Sequence, residues 1–306
     1  MKPAPFEYVA PRSLDEALFA LDAADAEAKV LAGGQSLIPL LNFRLAHPST
    51  LIDLNRVPTL TSLAPRDGGL VIGAMTRQAS IERDTRVRLE QPLLAEAITF
   101  VGHPAIRSRG TVGGSLAHAD PAAELPAVMV CLDAQLSLRS RHGQRTLSAE
   151  DFFVGYLTTA LRPNELLVET WLPPLRPGTG QAWLEFSRRH GDFALVGVAV
   201  SLTLRHEEVE QVRIVLAGVG GKPFRAREAE TLLVGGRLPE RIRAAADAVR
   251  TAIDPDADIH GSKEYRTQLA ATMTERAVQV AYQRALAAAP AALDVRRSLE
   301  GLSRRA

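Results

Sequence analysis

A single cysteine, Cys131, stands in 306 residues. A disulfide framework, a cysteine-based zinc site and an iron–sulfur cluster carried by this chain are thereby excluded. Charge of one sign is also lacking: 36 Lys+Arg face 35 Asp+Glu, a net +1. A surface that coats nucleic acid or an anionic membrane normally carries a basic excess, and none is present. No apolar run reaches the roughly 18 residues of a membrane helix. Met1–Pro11 holds three prolines and no apolar stretch of the signal-peptide kind. The expectation is a cytoplasmic protein with no nucleic-acid partner and no membrane insertion. Two nucleotide signatures are missing as well, the Gly-Lys-Ser/Thr ending of a Walker A loop and the GxGxxG fingerprint. The seven histidines form no HExxH or other close-spaced metal set. What the chain does have is 46% hydrophobic and 23% charged residues, a globular composition. That is enough for two cores at about 150 residues per domain.

Ser13-Leu14-Asp15-Glu16 reads as a capping box. Leu14, Ala17, Leu18 and Leu21 follow on one helical face, predicting a helix to about Ala28. Lys29–Leu31 and Thr50–Leu54 read as short strands, and Leu70–Gly73 as another after the Asp67-Gly68-Gly69 turn. Helices are predicted near Thr76–Arg83 and from Pro92 to about Val101. Ala134, Leu136 and Leu138 alternate with polar neighbours before a hairpin turn at His142-Gly143. Prolines and glycines crowd 163–180, which places the main boundary near 175. Beyond it, Val196, Val198, Val200, Leu202 and Leu204 alternate strictly. With Val212–Val219 and Trp183–Phe186 they predict an antiparallel sheet of about three strands. Helices over Arg241–Ile253 and from Ser262 to about Ala288 complete the pattern, leaving an Ala- and Arg-rich tail.

Two strand–Gly-Gly–Ser segments lie about 80 residues apart: Gly33-Gly34-Gln35-Ser36 and Gly113-Gly114-Ser115. Glycines let successive backbone N–H groups point into one concavity with no Cβ in the way. A pyrophosphate fits such a concavity, because each charge-assisted N–H bond contributes roughly 1.5–3 kcal/mol. The hydroxyls of Ser36, Thr111 and Ser115 add donors. A lone Gly-Gly after a strand is most often only a turn, so spacing alone leaves both readings open. Gly218-Val219-Gly220-Gly221 runs into Lys222-Pro223 and reads as a loop.

With their neighbours, these segments resemble the flavin-binding (medium) subunit of the molybdenum hydroxylases, of the xanthine dehydrogenase and aerobic carbon monoxide dehydrogenase type. Ala32-Gly33-Gly34-Gln35-Ser36-Leu37 is similar to the family's first FAD loop, and Thr111-Val112-Gly113-Gly114-Ser115 to the second. Ala119–Pro126, Arg188–Ala194 and Asp258–Arg266 are similar to its later signatures. The resemblance covers about residues 1–288. It implies an α+β fold: a two-subdomain FAD-binding domain of the vanillyl-alcohol oxidase/MurB (PCMH) type over 1–175, with subdomains of about 1–57 and 58–175. A C-terminal flavoprotein domain over 176–288, a three-stranded antiparallel sheet with helices, would follow, with 289–306 as a tail.

The resemblance also implies site residues. Backbone groups of Ala32, Gly33, Gly34, Gln35, Ser36 and Leu37, and of Thr111, Gly113, Gly114 and Ser115, would hold the FAD diphosphate. Glu124 would accept from the adenosine ribose; the alternative is a surface acid at a helix start. Asp120, before Pro121, is either a turn former or a contact. Leu161 would offer its backbone toward the flavin. Asp192 and Phe193 would lie beside the isoalloxazine ring, where many carbon monoxide dehydrogenase relatives carry Tyr in place of Phe193. Arg188 and Arg189 either favour reduced, anionic flavin by Coulomb attraction or form a solvated basic pair. Gln35 stands where some relatives have His and cannot bond covalently to flavin. His118 is the other candidate for such a bond, and non-covalent FAD is expected. Cys131, in an apolar stretch, reads as an inert core thiol.

In function, the resemblance implies an oxidoreductase subunit that is incomplete alone. A large subunit would carry the molybdenum cofactor, and a small one two [2Fe–2S] clusters. This chain would pass their electrons through FAD to NAD⁺, a quinone, O₂ or another acceptor. A self-sufficient flavin oxidase and a non-enzymatic flavin-binding protein are the alternatives.

Overall fold

Ser13 caps the first helix: its Oγ accepts the Glu16 amide at 3.1 Å, and Glu16 reaches back to the Arg12 amide at 2.8 Å. The computed structural model describes residues 2–25, 27–235, 238 and 241–288. The tail expected over 289–306 lies outside the described residues.

Helix α1 (Leu14–Ala23) buries Ala17, Leu18 and Leu21, then stops five residues short of the predicted end, because Ala24 is extended. It covers a three-stranded parallel sheet of β1 (Glu7–Val9), β2 (Lys29–Leu31) and β3 (Thr50–Asp53), in the order β1-β3-β2. Helix α2 (Leu37–Asn42) follows the first glycine segment.

A five-stranded antiparallel sheet comes next, in the order β4-β5-β10-β6-β7. Its strands are β4 (Leu63–Arg66), β5 (Gly69–Gly73), β6 (Gln135–Ser140), β7 (Gly143–Ser148) and β10 (Leu166–Leu172). The predicted hairpin turn joins β6 to β7, Ser140 pairing with Gly143. Between β5 and β6 run six short helices: α3 (Gln78–Arg83), α4 (Thr85–Glu90), α5 (Pro92–Ala97), α6 (Pro104–Arg109), α7 (Val112–His118) and α8 (Glu124–Cys131). The helix predicted to Val101 therefore ends at Ala97. Helix α8 is buried along its whole length, Cys131 included. Short helix α9 (Ala149–Phe152) leads into the β8 (Phe153–Gly155) and β9 (Thr158–Thr159) ribbon.

The three strands expected after 175 are present as β11 (Thr179–Phe186), β12 (Val196–Arg205) and β13 (Glu208–Ala217). A two-residue strand, β14 (Phe224–Arg225), adds a fourth that is too short to read from alternation. The alternating Val196, Val198, Val200 and Leu202 face a core shared with α10 (Arg227–Leu233), α11 (Ile242–Ala252) and α12 (Lys263–Ala288). The opposite face, through Trp183, Ala199, Val215 and Ala217, joins the core that holds α5 and α8. Both faces of this sheet are thus covered. Polar ties reinforce the contact: Arg284 of α12 grips the Glu96 carboxylate of α5 with two bonds of 2.7 and 2.9 Å.

Candidate functional site

The first glycine segment leaves β2 at Leu31 and turns through Gly34, whose φ of +76° is costly for any residue with a Cβ. Its backbone bonds run into its carbonyls: Ile38 N–H donates to Gly34 O at 3.1 Å and Leu40 N–H to Ser36 O at 3.3 Å. The amides of Gly33, Gly34, Gln35 and Ser36 donate to no backbone acceptor among the described residues. Four neighbouring donors are therefore available to a ligand.

The second segment lies against the first. A Cβ on Gly33 would stand 2.5 Å from Arg109 O and 2.8 Å from Gly110 Cα. A Cβ on Gly114 would stand 2.6 Å from Thr111 Oγ1, 3.1 Å from Ala32 Cβ and 3.9 Å from Gly33 N. Only glycine permits this approach of two backbones about 80 residues apart. The second segment itself is not the loop that its glycines suggest. Thr111 is the N-cap of α7, its Oγ1 accepting from Gly114 N at 3.0 Å. Val112 N donates to Thr76 O, Gly113 N to Ala74 O and Ser115 N to Thr111 O. Most of its amides are consequently engaged within the chain, and it forms a wall rather than a second open cradle.

Beside the first segment opens a cleft of about 580 Å³, lined by Leu31 to Gln35, Ile38, Pro39, Asp53, Asn55, Arg77 and Arg109. Asp53 closes β3, with Tyr8 OH on one oxygen at 2.5 Å and Asn55 N and Nδ2 on the other at 2.9 and 2.5 Å. Its burial would raise the carboxyl, but these bonds and the Arg56 charge outweigh it and hold the group below its ordinary range. Asn55 Nδ2 also donates to Ala32 O at 2.9 Å, tying the glycine segment to β3. Arg77 donates to Asn55 Oδ1 at 2.6 Å and to Arg109 O. Burial, then the like charge of Arg109, press its guanidinium below the usual arginine range.

Of the predicted residues, Ala32, Gly33, Gly34 and Gln35 line this cleft, Ser36 and Leu37 continue from them into α2, and Gly114, within the Thr111–Ser115 segment, abuts Ala32; Gly113 packs on Ala74. Asp120, Glu124, Leu161, Asp192 and Phe193 do not line it. Asp120 Oδ1 takes the Ala122 amide at 2.9 Å, the bond of a turn former. Glu124 begins α8 and is buried; burial, with the Asp120 charge, pushes its carboxyl up to about 7. Glu185 of β11 is pushed up to about 8 by burial and by the charge of Glu124. Trp183 Nε1 donates to one Glu185 oxygen at 3.2 Å, and the other is buried with no hydrogen-bond partner. Leu161 is half-buried, its amide donating to Thr159 Oγ1 at 3.3 Å. Asp192 and Phe193 are exposed, Phe193 by 63%, in a loop whose Gly191 packs on His103. Sequence reading missed Asp53 and Asn55, which sit together at the end of β3, and Arg77 and Arg109, which come from the start of α3 and the end of α6, with no shared motif. Only the position of Asp53 and Asn55 at the end of a buried strand hinted at a ligand-facing edge.

Comparisons with known proteins identify the family of the chain. Residues 4–175 match the family model described as the FAD binding domain in molybdopterin dehydrogenase, and residues 181–281 the CO dehydrogenase flavoprotein C-terminal domain. The 6-hydroxypseudooxynicotine dehydrogenase complex subunit alpha of Paenarthrobacter nicotinovorans is 44% identical over 93% of this chain and 97% of its own. The carbon monoxide dehydrogenase medium chain of Hydrogenophaga pseudoflava is 38% identical over 93% and 99%. Among solved structures, carbon monoxide dehydrogenase from Hydrogenophaga pseudoflava superposes with a TM-score of 0.91 at 39% identity, covering 93% of this chain and 99% of that one. Quinoline 2-oxidoreductase from Pseudomonas putida 86 gives 0.89 at 39% identity, with the same coverage. The glycine cradle suits the cofactor that this family binds, and the chain belongs to the FAD-binding medium subunits of the molybdenum hydroxylases, an oxidoreductase subunit.

Proposed function

We propose that this chain is the electron-transfer subunit of a heteromeric molybdenum hydroxylase. It takes electrons from the [2Fe–2S] clusters of a small subunit and delivers them through FAD to an external acceptor such as NAD⁺, a quinone or O₂. A large subunit with the molybdenum cofactor carries out hydroxylation. One observation carries the reading: the open amides of Gly33, Gly34 and Gln35 belong to residues that line one cleft, with Gly114 packed against Ala32 beside it, in a chain with one buried cysteine. Among the described residues no group of His, Cys, Asp and Glu is placed to hold a metal ion. The relatives, a medium chain and a subunit of a dehydrogenase complex, support partner chains.

FAD, when bound, supplies two-electron and one-electron redox chemistry in one group. The protein's part is to bind and orient it. Gly33, Gly34, Gln35 and Ser36 would donate amides to the diphosphate, with Ala32 and Leu37 flanking. Thr111, Gly113, Gly114 and Ser115 would close the other side. Glu124 would accept from the ribose, Asp120 would hold the turn before it, and Leu161, Asp192 and Phe193 would border the ring. With Gln35 in the first segment, attachment is non-covalent. We assign residues 1–175 to the flavin domain, divided near 58, and 176–288 to the C-terminal domain. We assign the complex to the cytoplasm; among the described residues no helix is long and apolar enough to cross a membrane.

Co-expression with the adjacent genes tests this reading. The expected result is yellow chain that turns over no substrate alone and becomes active when iron–sulfur and molybdenum chains co-purify. Substrate-dependent flavin reduction by the isolated chain would instead make it a self-sufficient oxidase. Bound flavin without any redox partner would make it a binding protein.

A further inference from the structure

The cleft beside the first glycine segment carries two guanidiniums that the glycine motifs do not explain. Arg77 and Arg109 both line it, together with Gly33 and Gly34. No salt bridge to either is present among the described residues. The nearest carboxylate in the lining, Asp53, already holds the Tyr8 hydroxyl and two Asn55 donors, so two cations outnumber one engaged anion. Like charges brought together in a partly buried cleft are unfavourable unless an anion joins them. Arg77 is held in place by the Asn55 Oδ1 and Arg109 O bonds, which fix its guanidinium against the wall. The Arg109 side chain is exposed and makes no hydrogen bond of its own among the described residues. The open amides of Gly33, Gly34 and Gln35 on the same wall are neutral donors with no net charge to offset a dianion.

We propose that Arg77 and Arg109 form a guanidinium clamp on the diphosphate of the flavin dinucleotide, supplying the positive charge that the glycine segment lacks. This rests on the reading of the cleft as the FAD site. Guanidinium is suited to the task, because its planar fork pairs two oxygens of a phosphate and stays charged. The clamp predicts recognition of flavins by phosphate content and a binding constant that falls with salt.

The test uses the full chain, stripped of flavin and titrated with FAD, FMN and riboflavin by fluorescence from 50 mM to 500 mM NaCl. Wild type is expected to bind FAD with an affinity that drops with salt, and riboflavin weakly with no salt dependence. R109Q alone is expected to weaken FAD binding about tenfold and the R77Q/R109Q pair about a hundredfold, with a flatter salt response. Riboflavin binding should not change. R77K/R109K should recover most of the salt dependence with part of the affinity. Because Arg77 also braces Asn55, thermal melts identify variants that have lost the fold, and R109Q tests the clamp without touching that brace. An R109Q chain that melts as wild type and keeps wild-type FAD affinity and salt response would overturn the clamp. Failure of the wild-type chain itself to bind FAD would instead overturn the cofactor site on which it rests.

Discussion

Replacing Gly114 by valine is the perturbation whose consequences the structure fixes most narrowly. The new Cβ would lie 2.6 Å from Thr111 Oγ1 and 3.1 Å from Ala32 Cβ. Carbon atoms rest about 3.5–4.0 Å apart, so the Ala32 segment must retreat by about half an ångström or more. On the other side the Thr111 hydroxyl must rotate away, and the cap bond it forms with the Gly114 amide is lost at a cost of about 1 kcal/mol. The γ-methyls then project toward Gly33 N, which is 3.9 Å from the Cβ position. A diphosphate there would lose about two charge-assisted amide bonds, each worth about 1.5–3 kcal/mol. That corresponds to roughly a 10²–10⁴-fold rise in the FAD dissociation constant. The assay is fluorescence titration of flavin-free protein, with thermal melting in parallel to measure the smaller loss of stability. Gly155→Ala serves as control, since a Cβ there meets nothing within 4 Å. A folded G114V chain with wild-type FAD affinity would refute the reasoning.

Gly33→Ala should also lose FAD, because its Cβ meets backbone atoms of Arg109 and Gly110 that cannot move independently; flavin content of the purified variant measures this. Glu124 binds more protons folded than unfolded between about pH 4.5 and 7, so stability falls as pH rises through that window and levels off above it. E124Q in the flavin-free chain should therefore gain up to about 3 kcal/mol over wild type at pH 8.5 and little at pH 4.5, as read from urea melts. Burial pushes the Cys131 thiol up to about 12, so an aromatic disulfide reagent at pH 8 should react only after denaturation. Arg266→Met removes the 2.7 Å bonds to Leu195 O and Asp258 Oδ2 and should cost about 2–4 kcal/mol in chemical denaturation.

Elements whose cause is local were legible in the sequence. The Ser13 cap, the alternation of Val196 to Leu204 and the hairpin at Gly143 all act over a few residues, and the structure carries each where pattern and turn chemistry put it. The start of α7 was not legible. Two glycines weaken a helix locally, but a Cβ on Gly113 would stand 2.5 Å from Ala74 Cβ, so close packing on β5's exit overrides propensity. The glycine segments themselves stood out, whereas the ring of Asp53, Asn55, Arg77 and Arg109 did not. Asp53 and Asn55 sit together at the end of β3, but only tertiary folding brings Arg77 and Arg109 to the same cleft. The same holds for the buried approach of Glu185 to Glu124, whose strand and helix are about 60 residues apart.

A structure of the FAD-loaded chain tests the central assignment most directly. The account predicts diphosphate oxygens within about 3 Å of the Gly33–Ser36 amides, with Gly114 closing the opposite side and the Arg77 and Arg109 guanidiniums turned onto the phosphates. A diphosphate seated elsewhere, with those amides still facing water, would contradict it.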